Sequence, residues 1–326
     1  MTTSNNSSPI LLAYSGGLDT SFCVPWLKET YGRPVITACV NTGGLDAAAA
    51  KSLEDRAMAL GATEHVLIEA RDIFFHRVLK YLIAGNVRRG QLYPMCVGAE
   101  RGIQATLLAE LAKKRGTTTV AHGCTAAGND QVRFEVALKT INPDLEIIAP
   151  VRDQSFVREE QVTYLQAGNY PMPPSGAKYS INRGLWGVSI GGKETLTSAN
   201  TIPEDAWVLS SGAFDKPNTP QELVIGFEEG VPVTINGEKL TPVNLIEKLE
   251  TIAGAYGIGR GIHLGDTVLG TKGRVAFEAP AAEVLLTAHR ELEKLVLSSL
   301  QMSIKEGVSL NYGNFVHEGK QLDPVC

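Results

Sequence analysis

The densest run of chemistry-bearing residues is Ala13-Tyr14-Ser15-Gly16-Gly17-Leu18-Asp19-Thr20-Ser21. Gly16 and Gly17 lack a Cβ and let the backbone approach a ligand closely. Ser15, Thr20 and Ser21 add hydroxyl donors. The run follows the apolar Ile10-Leu11-Leu12 and precedes an amphipathic stretch from Phe22 to Tyr31, which reads as strand, glycine turn, helix. Such a turn aims backbone N–H groups at the space above a helix N-terminus, where the helix dipole favours an anion. A phosphate chain is the natural ligand. There is no Gly-Lys-Ser/Thr, and the glycines lack the G-x-G-x-x-G spacing of a dinucleotide fold. A plain strand-to-helix turn capped by Asp19 or Thr20 is the bland alternative.

A second dense run is Ala121 to Glu135, AHGCTAAGNDQVRFE. A helix starting near Asn129 would set Asn129, Asp130 and Arg133 on one face. An amide, a carboxylate and a guanidinium together suit an amino acid: Asp130 for an ammonium, Arg133 for a carboxylate, Asn129 for either. An N-cap beside a local Asp–Arg pair fits the same residues.

Both runs belong to a regular alternation. Strands are expected at Ile10–Ala13, Val35–Val40, His65–Ile68, Thr117–Ala121 and 147–150. Helices are expected from Asp46 to Leu60, from Arg71 to Ala84, and within Val97 to Lys114. This predicts an α/β, doubly wound parallel sheet, whose ligands sit beyond the carboxyl ends of the strands. A loop rich in Pro, Gly and Ser spans Asn169 to Lys178. After Glu194 the texture turns to strands and turns, with helices near Pro242–Tyr256 and Ala282–Leu297. The expectation is a phosphate-loop domain over 1–165, and a second α+β domain over 166–326 that completes a cleft.

The 326 residues are 44% hydrophobic and 20% charged, enough for a packed core, and the net charge of −5 argues against nucleic acid as a partner. Cys23, Cys39, Cys96, Cys124 and Cys326 form no C-x-x-C pair, which suits a reducing cytoplasm. Met1 to Pro9 is polar and reads as a frayed tail without a signal sequence. No apolar run has the length of a membrane span. None of the six histidines has metal-ligand spacing, so no structural metal is expected. His122 is expected to hydrogen-bond rather than do acid–base work.

The run Ser-Gly-Gly-Leu-Asp-Thr-Ser after a first strand resembles the pyrophosphate loop of the ATP pyrophosphatases, within the adenine nucleotide hydrolase-like folds. Together with GNDQVRFE, and with Ala149 to Arg152, Tyr179-Ser180-Ile181, Gly230 to Val233, Gly257 to Arg260 and Lys272 to Pro280, it resembles the argininosuccinate synthase family over nearly the whole chain. The resemblance implies a ligase that joins citrulline and aspartate, using ATP with Mg²⁺ and releasing AMP and pyrophosphate. It assigns ATP to Ala13, Tyr14, Ser15, Gly16, Gly17, Leu18, Asp19, Thr20 and Ser21, with Val40, His122 and Gly123. Aspartate contacts fall on Thr125, Asn129 and Asp130. Citrulline contacts fall on Tyr93, Asn129, Arg133, Ser180 and Ser189. Alignment of the reactants falls to Asp19, Thr125 and Asp130. No protein nucleophile is required, so Cys124 is expected to be structural.

The departures from the family pattern lie on the substrate side. Val97 and Gly98 replace a Thr and a Ser, each a lost hydroxyl worth about 1 kcal/mol net. Gly265 replaces a Glu, Phe277 a Tyr, and Ala127 a loop Lys. The polypeptide stops soon after Tyr312-Gly313-Asn314-Phe315, short of the family's C-terminal arm, so a homo-oligomer built without that arm is expected. Three other readings are a paralogue adenylating an acceptor without a free α-amine, an RNA-thiolation ATP pyrophosphatase, and a non-catalytic ATP-binding protein.

Overall fold

The computed structural model describes residues 8–126, 128–173, 179–215 and 219–326. Most of the expected tail, the end of the Pro/Gly/Ser loop and Ala127 lie outside the described residues. The chain groups into two units: one comprises 1–41, 45–69 and 101–177, the other 42–44, 70–100 and 178–326. Residues 70–100 precede the expected cut near residue 165 yet group with the later unit.

The first unit is a five-stranded parallel sheet in the order β3-β2-β1-β4-β5. Its strands are β1 (Ile10–Ala13), β2 (Val35–Asn41), β3 (Glu64–Glu69), β4 (Thr119–His122) and β5 (Glu146–Ile148). Leu11 and Leu12 are both fully buried, and alternation sends them to opposite faces. Leu12 packs with Phe22, Cys23 and Leu27 of α1 (Leu18–Tyr31), while Leu11 packs with Leu108 and Leu138 on the other side. Helices therefore cover both faces, as a parallel sheet requires. Asp46 caps α2 (Ala47–Ala59) by accepting from Ala49 N at 2.8 Å.

The segment expected as one helix from Arg71 to Ala84 is helical throughout but passes through a π-helical turn at Phe75–Leu79. The last parallel strand is shorter than expected. It stops at Ile148, and Pro150 instead opens the short helix Pro150–Asp153, where its missing N–H costs nothing.

The second unit holds two antiparallel sheets. One has the order β11-β12-β7-β6, from β6 (Ser180–Gly184), β7 (Gly187–Gly191), β11 (Arg260–Asp266) and β12 (Lys272–Glu278). The other runs β10-β9-β8, from β8 (Ile225–Glu228), β9 (Val231–Ile235) and β10 (Glu238–Lys239). The antiparallel texture thus begins at Ser180, ahead of the expected point after Glu194. The helices Pro242–Gly254 and Pro280–Val296 lie where expected, and a third, Ser299–Glu318, was not anticipated. Trp186 is almost fully buried and donates Nε1–H to the Pro94 carbonyl at 3.1 Å. No helix among the described residues is long and apolar enough to cross a membrane.

Candidate active site

The strand order of the parallel sheet fixes where its ligand belongs. The chain moves outward through β1, β2 and β3, then returns to place β4 on the other side of β1. The carboxyl ends of β1 and β4 are therefore the topological switch point. The two glycine-bearing loops found in the sequence leave from these two strand ends, and they meet there. A Cβ on Gly123 would lie 3.0 Å from Thr20 Cγ2 and 3.1 Å from Thr20 N. A side chain here would have to push the first turn of α1 back by a few tenths of an ångström.

The β1 loop is shaped by its own hydroxyls. Ser15 Oγ lies 3.2 Å from Thr20 Oγ1, which in turn donates to the Gly17 carbonyl at 3.3 Å. Gly16 adopts φ 72°, and a Cβ there would come within 2.3 Å of Leu53 Cδ1. Arg56 Nη1 donates to the Gly16 carbonyl at 2.9 Å. With the carbonyl of Gly16 held back by α2, Gly17 lies exposed at the start of α1. Arg56 carries no signal in the sequence, because it reaches the loop from a helix forty residues on. Asp19 is half-buried in the first turn, and Val40 is half-buried near the end of β2.

The β4 loop places the amino-acid-type residues. Asp130 opens the helix Asp130–Ile141, with Asn129 at its N-cap. Asp130 Oδ1 accepts from Arg133 Nη1 at 3.1 Å and Oδ2 from Arg101 Nε at 2.9 Å. Burial alone would raise the Asp130 pKa, but the two guanidiniums outweigh it and hold the carboxyl below its ordinary value. Asp130 is thus the pivot of a two-arginine clamp, and the cluster carries a net positive charge that suits a carboxylate. Arg101, shortly after Val97 and Gly98, belongs to neither glycine-bearing run and gives no signal of its own in the sequence. Thr125 is exposed in the loop.

His122 is buried at the end of β4. Its Nδ1 accepts from Cys124 N–H at 3.3 Å, which leaves the proton on Nε2, 3.4 Å from Glu135 Oε1. Arg152 bridges Glu135 and Asp153. His122 thus stands between the loop and the helix Asp130–Ile141, its Nδ1 engaged by the loop backbone. The Cys124 thiol, half-buried, is pushed up to about 12 by burial and so stays protonated.

The remaining predicted residues lie in the second unit, on one face of its four-stranded sheet. Register pairs Phe277 with Gly261 on one side and Ser189 on the other, and Ser189 with Asn182. Paired residues share a face, as do their neighbours two positions away. That face therefore carries His263, Phe277, Ser189 and Ser180, while Val188, Ile190 and Ala276 on the opposite face form a core. Tyr93 lies against this row: its ring stacks on His263 at 5.4 Å and meets Phe277 at 5.0 Å. Val97 and Gly98 are buried in the turn that follows. A Cβ on Gly265 would come 2.6 Å from His263 Nε2, so the imidazole occupies the space that a side chain at 265 would need.

A twisted parallel sheet with a glycine-turn pyrophosphate-type loop at its switch point defines an α/β nucleotide-fold protein of the HUP class. The family can be given as well. Residues 9–171 match the model of the arginosuccinate synthase N-terminal HUP domain, and residues 179–326 match that of the arginosuccinate synthase C-terminal domain. The chain is 39% identical over 316 residues to the argininosuccinate synthase of Sulfurisphaera tokodaii, covering 97% of this chain and 80% of the relative. It is 40% identical over 316 residues to that of Methanocaldococcus jannaschii, covering 97% and 79%. It is 37% identical over 320 residues to that of Streptococcus suis, covering 97% and 79%. The chain belongs to the argininosuccinate synthase family.

Proposed function

We propose that this chain is an AMP-forming carbon–nitrogen ligase that joins citrulline to aspartate at the expense of ATP; its relatives bear the name argininosuccinate synthase. Family membership across both halves of the chain favours this over the RNA-thiolation, paralogue and non-catalytic readings. The single observation that carries it is the approach of Gly123 to Thr20, which brings both glycine loops to one switch point. ATP is assigned to Ala13 through Ser21 with Val40, His122 and Gly123. Mg²⁺ would accompany the phosphates and neutralise their charge, with Asp19 as the protein carboxylate of the loop; magnesium is held by one or two carboxylates plus phosphate.

Aspartate is assigned to Thr125, Asn129 and Asp130, with Arg101 and Arg133 supplying the positive charge. Citrulline is assigned to Tyr93, Asn129, Arg133, Ser180 and Ser189. The ureido oxygen of citrulline attacks the α-phosphorus and expels pyrophosphate. The aspartate amine then attacks the activated carbon and expels AMP. Catalysis here is alignment and charge stabilisation, with no nucleophile drawn from the protein. A cytoplasmic setting fits the five free cysteines. A homo-oligomer fits the exposed Leu300, Ile304 and Val308, spaced four apart along the helix Ser299–Glu318.

The test is stoichiometric. Purified protein with ATP, Mg²⁺, citrulline and aspartate should release pyrophosphate and AMP only when both amino acids are present, with argininosuccinate detected by mass spectrometry. Pyrophosphate release independent of either amino acid, or no release at all, would overturn the reading.

A further inference from the structure

A loop that grips a phosphate chain needs positive charge, yet the run Ala13 to Ser21 has no cationic side chain, and its one ionic residue is Asp19. Backbone N–H groups and the N-terminus of α1 supply partial charges alone. On the β4 side the cations are already engaged. Arg101 and Arg133 both bind Asp130, and Arg152 binds Glu135 and Asp153.

Arg56 is placed differently. It stands half-buried in the last turn of α2, and its Nη1 donates to the Gly16 carbonyl at 2.9 Å. Among the described residues no carboxylate lies within ion-pair distance of it. Its acidic neighbours in sequence, Glu54 and Asp55, are taken by Lys51 at 3.1 and 2.9 Å. Leu53, one turn earlier and 6% exposed, fills the space beside Gly16 and keeps α2 against the loop. A glycine at positive φ is free to turn its peptide either way. The bond from Arg56 removes that freedom and points the negative end of the Gly16 carbonyl at α2, where it cannot repel an anion. A guanidinium has five N–H donors and stays charged at any working pH. One bond to a neutral carbonyl leaves that charge in place at the edge of the loop.

We propose that Arg56 is a positioning residue of the ATP site: it fixes the Gly16 carbonyl toward α2 and lends the loop the positive charge that its own run lacks. The proposal rests on the reading of this loop as the ATP site.

Isothermal titration of the intact protein with MgATP tests it. Arg56→Gln should weaken ATP by about ten-fold or more, the usual scale for losing a charged hydrogen bond. Arg56→Lys restores the charge without the planar fork and should recover part of that loss. Added salt should narrow the gap between Arg56→Gln and wild type, because it screens a half-buried charge. Lys28→Gln removes the same charge from the last turn of α1, where Lys28 donates to the Gly61 carbonyl at 3.4 Å, and should leave ATP affinity unchanged. If Arg56→Gln fails to fold, NMR of the wild-type protein keeps the test open, since the Arg56 Nε–H resonance should move along the ATP saturation curve. With ATP bound by the wild type, each of several results would overturn the proposal and spare the ligase reading: equal affinity in Arg56→Gln, an Arg56→Lys protein no tighter than Arg56→Gln, a gap indifferent to salt, an equal loss in Lys28→Gln, or an Arg56 resonance that stays still. A wild-type protein that binds no ATP would overturn both.

Discussion

Arg101 Nε lies 2.9 Å from Asp130 Oδ2, and the second oxygen of the same carboxylate is taken by Arg133. Asp130, which the sequence offers for a substrate ammonium, braces two guanidiniums, with Arg101 further fixed by Gln104 at 2.9 Å.

From this a kinetic signature follows. Arg101→Gln keeps a hydrogen-bonding side chain but removes the charge. Charged hydrogen bonds are worth about 1.5–3 kcal/mol, or roughly ten- to a hundred-fold in affinity. The KM for aspartate should rise by about that factor while the KM for ATP holds. Steady-state assays of pyrophosphate release give both constants. A variant with raised KM for ATP and unaltered KM for aspartate would refute the assignment.

Gly16 and Gly32 separate strain from crowding. Both have positive φ, at 72° and 61°, but a Cβ at Gly16 would strike Leu53 whereas nothing lies within 4 Å of one at Gly32. Gly32→Ala should cost about 1 kcal/mol of stability through left-handed strain alone and leave ATP binding intact. Gly16→Ala should distort the loop as well, and weaken ATP by about ten-fold or more. Thermal upshift against ATP concentration measures both, because binding to the native state raises the melting temperature.

Where local pattern and tertiary demand agreed, the sequence was readable. The parallel sheet announced itself because each buried strand is a short apolar run closed by a turn residue, and the glycine loops followed from their position after β1 and β4. The hairpin Ser180 to Gly191 was missed because its glycines, at 184, 187 and 191, look like loop. The helix Ser299–Glu318 was missed because its apolar stripe faces outward and it holds Gly307 and Gly313, although Ser298 and Gln301 form a capping box that was legible. Arg56 and His263 were beyond reach for another reason. Neither has a motif; each matters only because the fold carries it to a distant loop or to the Tyr93 ring.

Glu278 is fully buried and accepts from the backbone N–H groups of Val208, Leu209 and Ser210, and from Ser210 Oγ. The carboxylate thereby pins the 208–210 loop to β12. A glutamine is nearly isosteric but turns an NH₂ toward N–H donors. Glu278→Gln should therefore destabilise by about 3 kcal/mol, since a buried donor left without an acceptor pays its full desolvation cost. Urea unfolding followed by circular dichroism checks this. A midpoint within error of wild type would show that the loop is held otherwise.

Arg260 gives the acid limb of stability. Its guanidinium lies over Trp207 at 4.9 Å and Phe214 at 4.8 Å, and forms a two-pronged bond to Glu204 at 2.7 and 2.8 Å. The hydrogen bonds from Arg260, joined by one from Gly212 N–H, lower the Glu204 pKa from 4.5 to about 2. A carboxyl whose folded pKa lies below its unfolded value stabilises the fold fully above the unfolded value, and loses that contribution as pH falls through the folded one. The window is therefore pH 4.5 down to about 2. Across it wild-type stability should fall more steeply than that of Glu204→Gln, whose side chain does not titrate, and the two should differ most above pH 5. Because Arg260 rests on Trp207, indole fluorescence reports the same event. Equal acid slopes for the two proteins would mean that the Glu204–Arg260 pair contributes nothing to the fold.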